Sequence, residues 1–304
     1  MDLETYKFVR SILPEGRTVF HVFEDRYAFM LLEAAAEDGV VDLSKIKNGR
    51  FKSLLTKPRV REFISKFGKP RVDADELKAS WPHRGESYRL TVGMWPELDE
   101  YTDPDWDQTT RGGRNLVLQM NLPNSHKRAL AKYVPNWEDS IRWPIHPIAT
   151  DGELTMAWAR IDLDLETKEA LIEEIQSDWV WDTKVWAARE DKDAENWGMY
   201  VDEVLSPVSR KWPETMLTAA VWFLTVEMGI RTIFYHTHES GKKLKRIGGT
   251  APPRSLYTSL PKKFCFELTH NGPLFIRDSN ERTRKDLKKL FVDPSTQWYI
   301  LKLD

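Results

Sequence analysis

The sequence predicts an α+β protein: a mixed, mostly antiparallel sheet flanked by helices, with a small α/β unit ahead of it at the N-terminus. Three observations lead there. Two alternating apolar runs, LTMAWARIDL and ALIEEIQ, are separated only by the polar DLETKE, the pattern of an antiparallel strand pair. The stretch WPETMLTAAVWFLTVEMG, residues 212–229, is apolar on nearly all sides, as a packed central helix would be. Strand-like RTIFYHT and TQWYILKLD follow it, with short helical segments between them.

Taken in order, residues 1–85 read as a small mixed unit. TVFHVF is strand-like, RYAFMLLEAAAEDG is a helix closed by Gly39, and short helical segments run through FKSLLTKPRVREFISKFG. WPHRG, 81–85, marks a boundary because Pro and Gly interrupt both periodicities. Residues 86–304 then form the larger domain, which carries the candidate site. A surface loop is expected over 93–113, with Pro96, Pro104, Gly112 and Gly113. NLVLQMNL is a strand, and SHKRALAKYV is a helix with Ser125 as its cap. After the strand pair and a polar stretch at 182–203, Pro213 suits the first turn of the central helix and Gly229 its far end. SGKKLKRIGG reads as a short basic helix, SLYTSLPKKFCFEL as a turn and strand, and RTRKDLKKLFV as a helix.

Length and composition bound the class. With 304 residues, 41% hydrophobic, and 13 Trp beside 13 Phe, a large core is available to one or two domains. A single cysteine, Cys265, excludes an internal disulfide and suits a reducing compartment. No run approaches the ~18 apolar residues of a membrane helix, and MDLETYKFVR has no apolar signal core, so a cytoplasmic location without membrane association is expected. The net charge of −2 conceals an uneven distribution. ELDEYTDPDWD is wholly acidic, whereas 242–263 carries Lys242, Lys243, Lys245, Arg246, Arg254, Lys262 and Lys263 without one acid. Such a block is either a solvated face or a site for a phosphate-bearing ligand or nucleic acid. No P-loop, Gly-rich dinucleotide fingerprint, nucleophile elbow or zinc-finger spacing is present.

The candidate site begins in ALIEEIQSDW. In an extended chain Ala170, Ile172, Glu174, Gln176 and Asp178 share one face, which turns from apolar to polar halfway along. Polar groups on a half-buried strand are costly unless paired or facing an open cleft. Glu174 and Asp178 could hold a divalent cation, anchor a substrate amine or divide acid and base roles, with Gln176 and Trp179 as substrate contacts. The plain alternative is a strand end emerging into solvent. Glu173 and Ser177 fall on the opposite face, where structural roles are expected. His236 and His238 end the RTIFYHT strand, two apart, which would suit proton handling by His236. Without a paired Cys or third His at ligand spacing, they do not indicate a metal. Arg210, Lys211 and Trp212 stand at the start of the central helix, where backbone N–H groups favour an anion. Most other tryptophans, such as Trp158 and Trp222, fall on apolar faces and belong to the core.

GELTMAWARIDLDLETKEALIEEIQSDW resembles the E-I-Q-S-D-W segment of large polyvalent proteins of bacteriophages and related mobile elements. The resemblance continues through RKWPETMLTAAVWFLTVEMGIRTIFYHT, where those proteins have a K-x-W segment, a helix, a Gly and a strand ending in Thr. It extends to SLYTSLPKKF, similar to an F-Y-x-x-x-L-P-K-x stretch, and upstream to RGGRNLVLQMNLP, covering roughly residues 111–268. It implies a phage or mobile-element origin. The order of elements is also similar to that of the GNAT acetyltransferase superfamily, in which acyl-CoA rests on a Q/R-x-x-G-x-G/A loop at the central helix start. Arg210 matches the first position of that loop, but Trp212, Pro213 and Glu214 replace its glycines. Side chains there obstruct close backbone approach, and proline removes a donor.

Together these readings place Glu174, Gln176, Asp178, Arg210, Lys211, His236 and Tyr257 around one cleft. The first expectation is a phage or prophage group-transfer enzyme acting on a nucleotide, nucleic acid or host protein, with no cofactor identified. The second is a non-catalytic viral protein with a degenerate transferase fold, either a virion or ejected component or an inhibitor of a host factor. Its setting would be the host bacterial cytoplasm or the virion.

Overall fold

The computed structural model describes residues 1–82, 85–96, 108–135, 149–150, 153–190, 193–245, 253–277, 293 and 295–303. In chain order the elements begin with α1 (Leu3–Ile12), β1 (Arg17–Val22), α2 (Arg26–Ala34), β2 (Val40–Asp42), α3 (Leu43–Asn48), α4 (Pro58–Phe67), β3 (Arg71–Asp73) and α5 (Ala74–Ala79). There follow β4 (Glu86–Trp95), β5 (Asn115–Asn121), α6 (Asn124–Tyr133), β6 (Ala149–Thr150), β7 (Glu153–Asp164), β8 (Glu169–Gln176), α7 (Asp178–Ala187) and α8 (Ala194–Tyr200). The rest are α9 (Ser206–Ser209), α10 (Trp212–Trp222), β9 (Thr232–His236), α11 (His238–Leu244), α12 (Ser259–Lys263), β10 (Glu267–Thr269), α13 (Leu274–Arg277) and β11 (Trp298–Lys302). The fold is α+β, and every pairing with a described register is antiparallel.

Two compact units, each discontinuous in sequence, make up the chain. The first comprises Met1–Phe20, Ser87–Leu163 and Ile172–Ala220, and the second His21–Glu86, Asp164–Leu171 and Val221–Asp304. The boundary expected at 81–85 lies beside one crossing between units, at Glu86 and Ser87. Residues 1–20, however, group with the later strands and not with 21–86. Within the sheet β1 lies beside β4.

In the first unit β4, β5 and β7 pair with Leu90↔Met120, Leu118↔Ala159 and Leu116↔Ile161 opposite one another, and all six side chains are buried. Residues paired across strands share a face, so this is the apolar side of the sheet. In the second unit β9, β11 and β10 pair in that order, and β2 pairs with β3 separately. Its core gathers Leu171, Phe234, Leu244, Phe275, Ile276 and Trp298, with Ile300 packed against them.

Several expected boundaries move. The stretch 86–95 is a ten-residue strand where the loop was expected to begin at 93. Its alternation, Tyr88, Leu90 and Val92 buried, is blurred by Gly93 and Trp95. The polar stretch after 182 is helical, because α7 and α8 bury Trp179, Trp186, Trp197 and Tyr200 between charged positions. The first long helix stops at Ala34, and Gly39 (φ 77°) belongs to the turn before β2. α6 begins at Asn124 with Pro123 before it, so Ser125 does not cap it. SLYTSLPKK forms a helical turn and α12, leaving only Glu267–Thr269 as strand. The central helix α10 continues as a π-helical turn over Phe223–Glu227, and Gly229, at φ 65°, follows the end of that turn. The helix expected at RTRKDLKKLFV, the acidic 97–107 and Arg246 lie outside the described residues.

Candidate functional site

The polar face that the sequence picked out on β8 extends across the first unit's sheet. The registers place Thr91 of β4, Gln119 and Asn121 of β5, and Trp158 and Arg160 of β7 on the face opposite the apolar one. Four side chains close a ring of hydrogen bonds there. The Thr91 hydroxyl donates to Gln119 Oε1 (3.4 Å), Gln119 Nε2 to Thr155 Oγ1 (3.1 Å), the Thr155 hydroxyl to Asn121 Oδ1 (3.0 Å), and Asn121 Nδ2 to the Thr91 hydroxyl (2.9 Å). Gly93 makes room, since a Cβ there would come within 3.3 Å of Gln119 Oε1. Every hydroxyl donates once and accepts once, so the ring is satisfied internally.

The EEIQSDW residues are engaged one by one. Glu173, as expected, has a structural role: its carboxylate accepts from the backbone N–H (2.9 Å) and hydroxyl (2.7 Å) of Thr110. Glu174 forms a 2.9 Å ion pair with Arg160, their side chains only 8% and 2% exposed. Arg160 also donates to the Gln108 carbonyl (2.8 Å) and lies 5.6 Å from the Trp95 ring centre. Ile175 is core. The strand ends at Gln176, so Asp178 is not a strand residue but the first residue of α7, and Ser177 is the cap. The Ser177 oxygen accepts from Val180 N–H (3.2 Å), and its hydroxyl donates to the Met156 carbonyl (2.5 Å). Asp178, half-buried, accepts from Trp158 Nε1 (2.8 Å) and Gln176 Nε2 (2.5 Å).

Trp179, expected to contact substrate, is fully buried and donates its indole N–H to the Tyr200 oxygen at 3.1 Å. Tyr200 in turn lies 3.1 Å from His126 Nδ1, and burial pushes its phenol well above the usual value. The Tyr200 oxygen thus links the Trp179 indole to the His126 ring. Nearby on the same sheet, Asp162 pairs with Arg111 at 2.6 and 3.0 Å and with the Met1 amino group at 2.7 Å.

Arg210 and Lys211 are exposed and Trp212 half-buried. The chain enters α10 in helical conformation: Arg210 (φ −82°, ψ −24°) caps α9, Lys211 N–H donates to the Val208 carbonyl at 3.0 Å, and Lys211 carbonyl accepts from Thr215 N–H at 2.9 Å. This stretch joins two helices and is not a strand-to-helix loop, so the anion seat expected there would have to form at a helix-to-helix junction.

His236 and Tyr257 belong to the second unit, whereas Glu174, Gln176, Asp178, Trp179, Arg210, Lys211 and Trp212 belong to the first. His236 ends β9 fully buried, its Nδ1 3.1 Å from Ser240 Oγ and its ring stacked 5.0 Å from that of Trp298. His238 does not continue the strand face, because Thr237 caps α11 and His238 opens that helix. Tyr257 is buried against Tyr235 (ring centres 5.6 Å) and the edge of His238 (6.3 Å).

The basic segment is dispersed. Lys242, Lys243 and Lys262 are exposed, and Lys243 lies 3.8 Å from Asp293. Arg254 faces Glu239 at 3.3 Å, Lys263 sits over the Tyr27 ring, and Lys245 is buried. A concavity of about 230 Å³ in the second unit is lined by Ala34, Glu37, Asp42, Lys45, Phe51 and Leu303 among others, and by none of the candidate residues. Among the described residues no three of His, Cys, Asp and Glu gather to hold a metal ion, and no helix is long and apolar enough to cross a membrane. No family model, no curated protein and no solved structure matches the chain.

Proposed function

We propose that the chain is a phage or mobile-element protein built on a degenerate GNAT-like domain, and that it works by binding a partner, as a virion or ejected component or a host-factor inhibitor. The observation that carries this reading is the helical entry into α10, where an acyl-CoA site would need open backbone amides. The engagement of EEIQSDW supports it as well. Glu174 is already engaged in a buried ion pair with Arg160. Isothermal titration of the purified chain with CoA and acetyl-CoA tests it. The expected result is no binding; a stoichiometric complex weakened at least tenfold by Arg210→Ala would overturn it.

A second reading, group transfer at Asp178, draws on one feature: this half-buried carboxylate stands at a helix start, where it accepts from Gln176 and Trp158. It predicts thiol release from acetyl-CoA in the presence of an amine acceptor, lost in Asp178→Asn. A third source of affinity is the exposed Lys242, Lys243 and Lys262, which would hold a phosphate-bearing ligand or nucleic acid. Gel-shift affinity would then fall steeply with salt.

A further inference from the structure

In the second unit α5 packs on α2, and Trp81, two residues beyond α5, lies across the α2 side chains. Arg26 and Glu33 stand two helical turns apart on α2 and so share one face. The Arg26 guanidinium sits 4.0 Å from the Trp81 ring centre and 5.6 Å from that of Phe23. Glu33 has one carboxyl oxygen buried with no hydrogen-bond partner, and the Trp81 indole N–H is likewise buried without one. The two lie near enough for the N–H to favour the carboxylate a little, yet no hydrogen bond of normal geometry closes between them.

The geometry points to Glu33 as a pH-sensitive latch that seats the α5–Trp81 segment on α2 while its carboxyl is protonated and loosens that seat when it ionises. A neutral carboxylic acid tolerates a buried oxygen without a hydrogen bond, whereas a carboxylate there draws in water. The charged groups facing Glu33 are Arg26 on its own helix and, from α5, Lys78 and Asp75. A second segment packed on α2, residues 50–56, turns Arg50 toward the Phe51 ring and Glu267 and leaves Lys52 in solvent; α4 meets α2 through Phe63 against Phe29, and Lys263 lies over the Tyr27 ring.

Desolvation outweighs Lys78 and Arg26 and pushes Glu33 from 4.5 up to about 7. The same burial lowers Arg26 to about 10, which leaves it cationic throughout. An acid whose pKa is higher when seated than when released favours the seated state fully below 4.5. That advantage is lost as pH rises toward about 7, above which it stays at its floor.

Hydrogen–deuterium exchange of peptides covering 74–82, normalised to the unfolded chain at each pH, tests the latch. Wild-type protection should fall several-fold from about pH 5 to about pH 7.5 and then level off, following the linkage relation. Glu33→Gln, neutral at every pH, should show no fall. Lys78→Met, an exposed substitution that removes a favourable charge, should move the fall to higher pH and keeps the test available if the Gln variant does not fold. A flat wild-type profile, an unchanged slope in Glu33→Gln, or an unmoved midpoint in Lys78→Met overturns the proposal.

Discussion

Arg160 of β7 and Glu174 of β8 form a 2.9 Å ion pair with almost no solvent exposure, and the pair anchors the polar face of the first unit. Removing one member strands the other charge in a dry environment, which costs about 3–5 kcal/mol, whereas replacing both with apolar side chains of similar volume is often neutral. Glu174→Ala and Arg160→Met should each lower unfolding free energy by that order, and the Arg160→Met/Glu174→Leu double variant should recover most of it. Urea denaturation of the three variants measures this. A Glu174→Ala variant as stable as wild type would mean the carboxylate is spared for chemistry instead.

The ring of Thr91, Gln119, Thr155 and Asn121 predicts a second loss. Thr155→Val is close to isosteric but removes both the donor to Asn121 and the acceptor for Gln119. Two buried amide groups then lose partners, at about 1–3 kcal/mol each. Thr91→Val, at the half-buried side of the ring, should cost less because water can reach the groups it leaves. The melting temperatures of the two variants, compared in one buffer, decide the order.

Tyr200 joins Trp179 to His126, and Tyr200→Phe deletes the atom that both contact. The expected cost is about 1–3 kcal/mol for the hydrogen bonds lost at the indole N–H and the imidazole nitrogen. Trp179→Phe, which shortens the ring and removes the donor, should be worse still through the cavity it leaves. Chemical denaturation followed by far-UV circular dichroism separates these losses from changes in tryptophan emission.

Gly85 lies against the Val22 carbonyl, and a Cβ at that position would overlap the oxygen. The clash is with backbone, so no side-chain rotation relieves it. Gly85→Ala should destabilise the second unit by about 1–3 kcal/mol, the range for overpacking. Gly112→Ala serves as the control, since nothing lies within 4 Å of its added Cβ. Equal melting temperatures for the two variants would refute the clash.

Much of the fold was legible because periodicity is local. The alternation of NLVLQMN, the two runs around DLETKE, the all-round apolar helix before Gly229 and the strand TIFYH each announce themselves within ten to twenty residues. Glu173 and Ser177 were legible for the same reason, since strand alternation sets them apart from Glu174. β4 was harder because Gly93 and Trp95 disturb its pattern. Asp178 was placed on a strand because nothing in QSDW announces the turn except Ser177, a cap only once the helix after it is known.

The sequence by itself determined the α+β class, the main strands, the central helix and the polarity of one face of β8. Only the tertiary structure decided what that polarity meets: Arg160 for Glu174, Thr110 for Glu173, Trp158 for Asp178 and Tyr200 for Trp179. The physical reason is that a carboxylate on a strand looks the same in the chain whether it awaits a ligand or a guanidinium. The free energy of burying it is set by the donors brought beside it in space, and those come from segments 14 to 63 residues away.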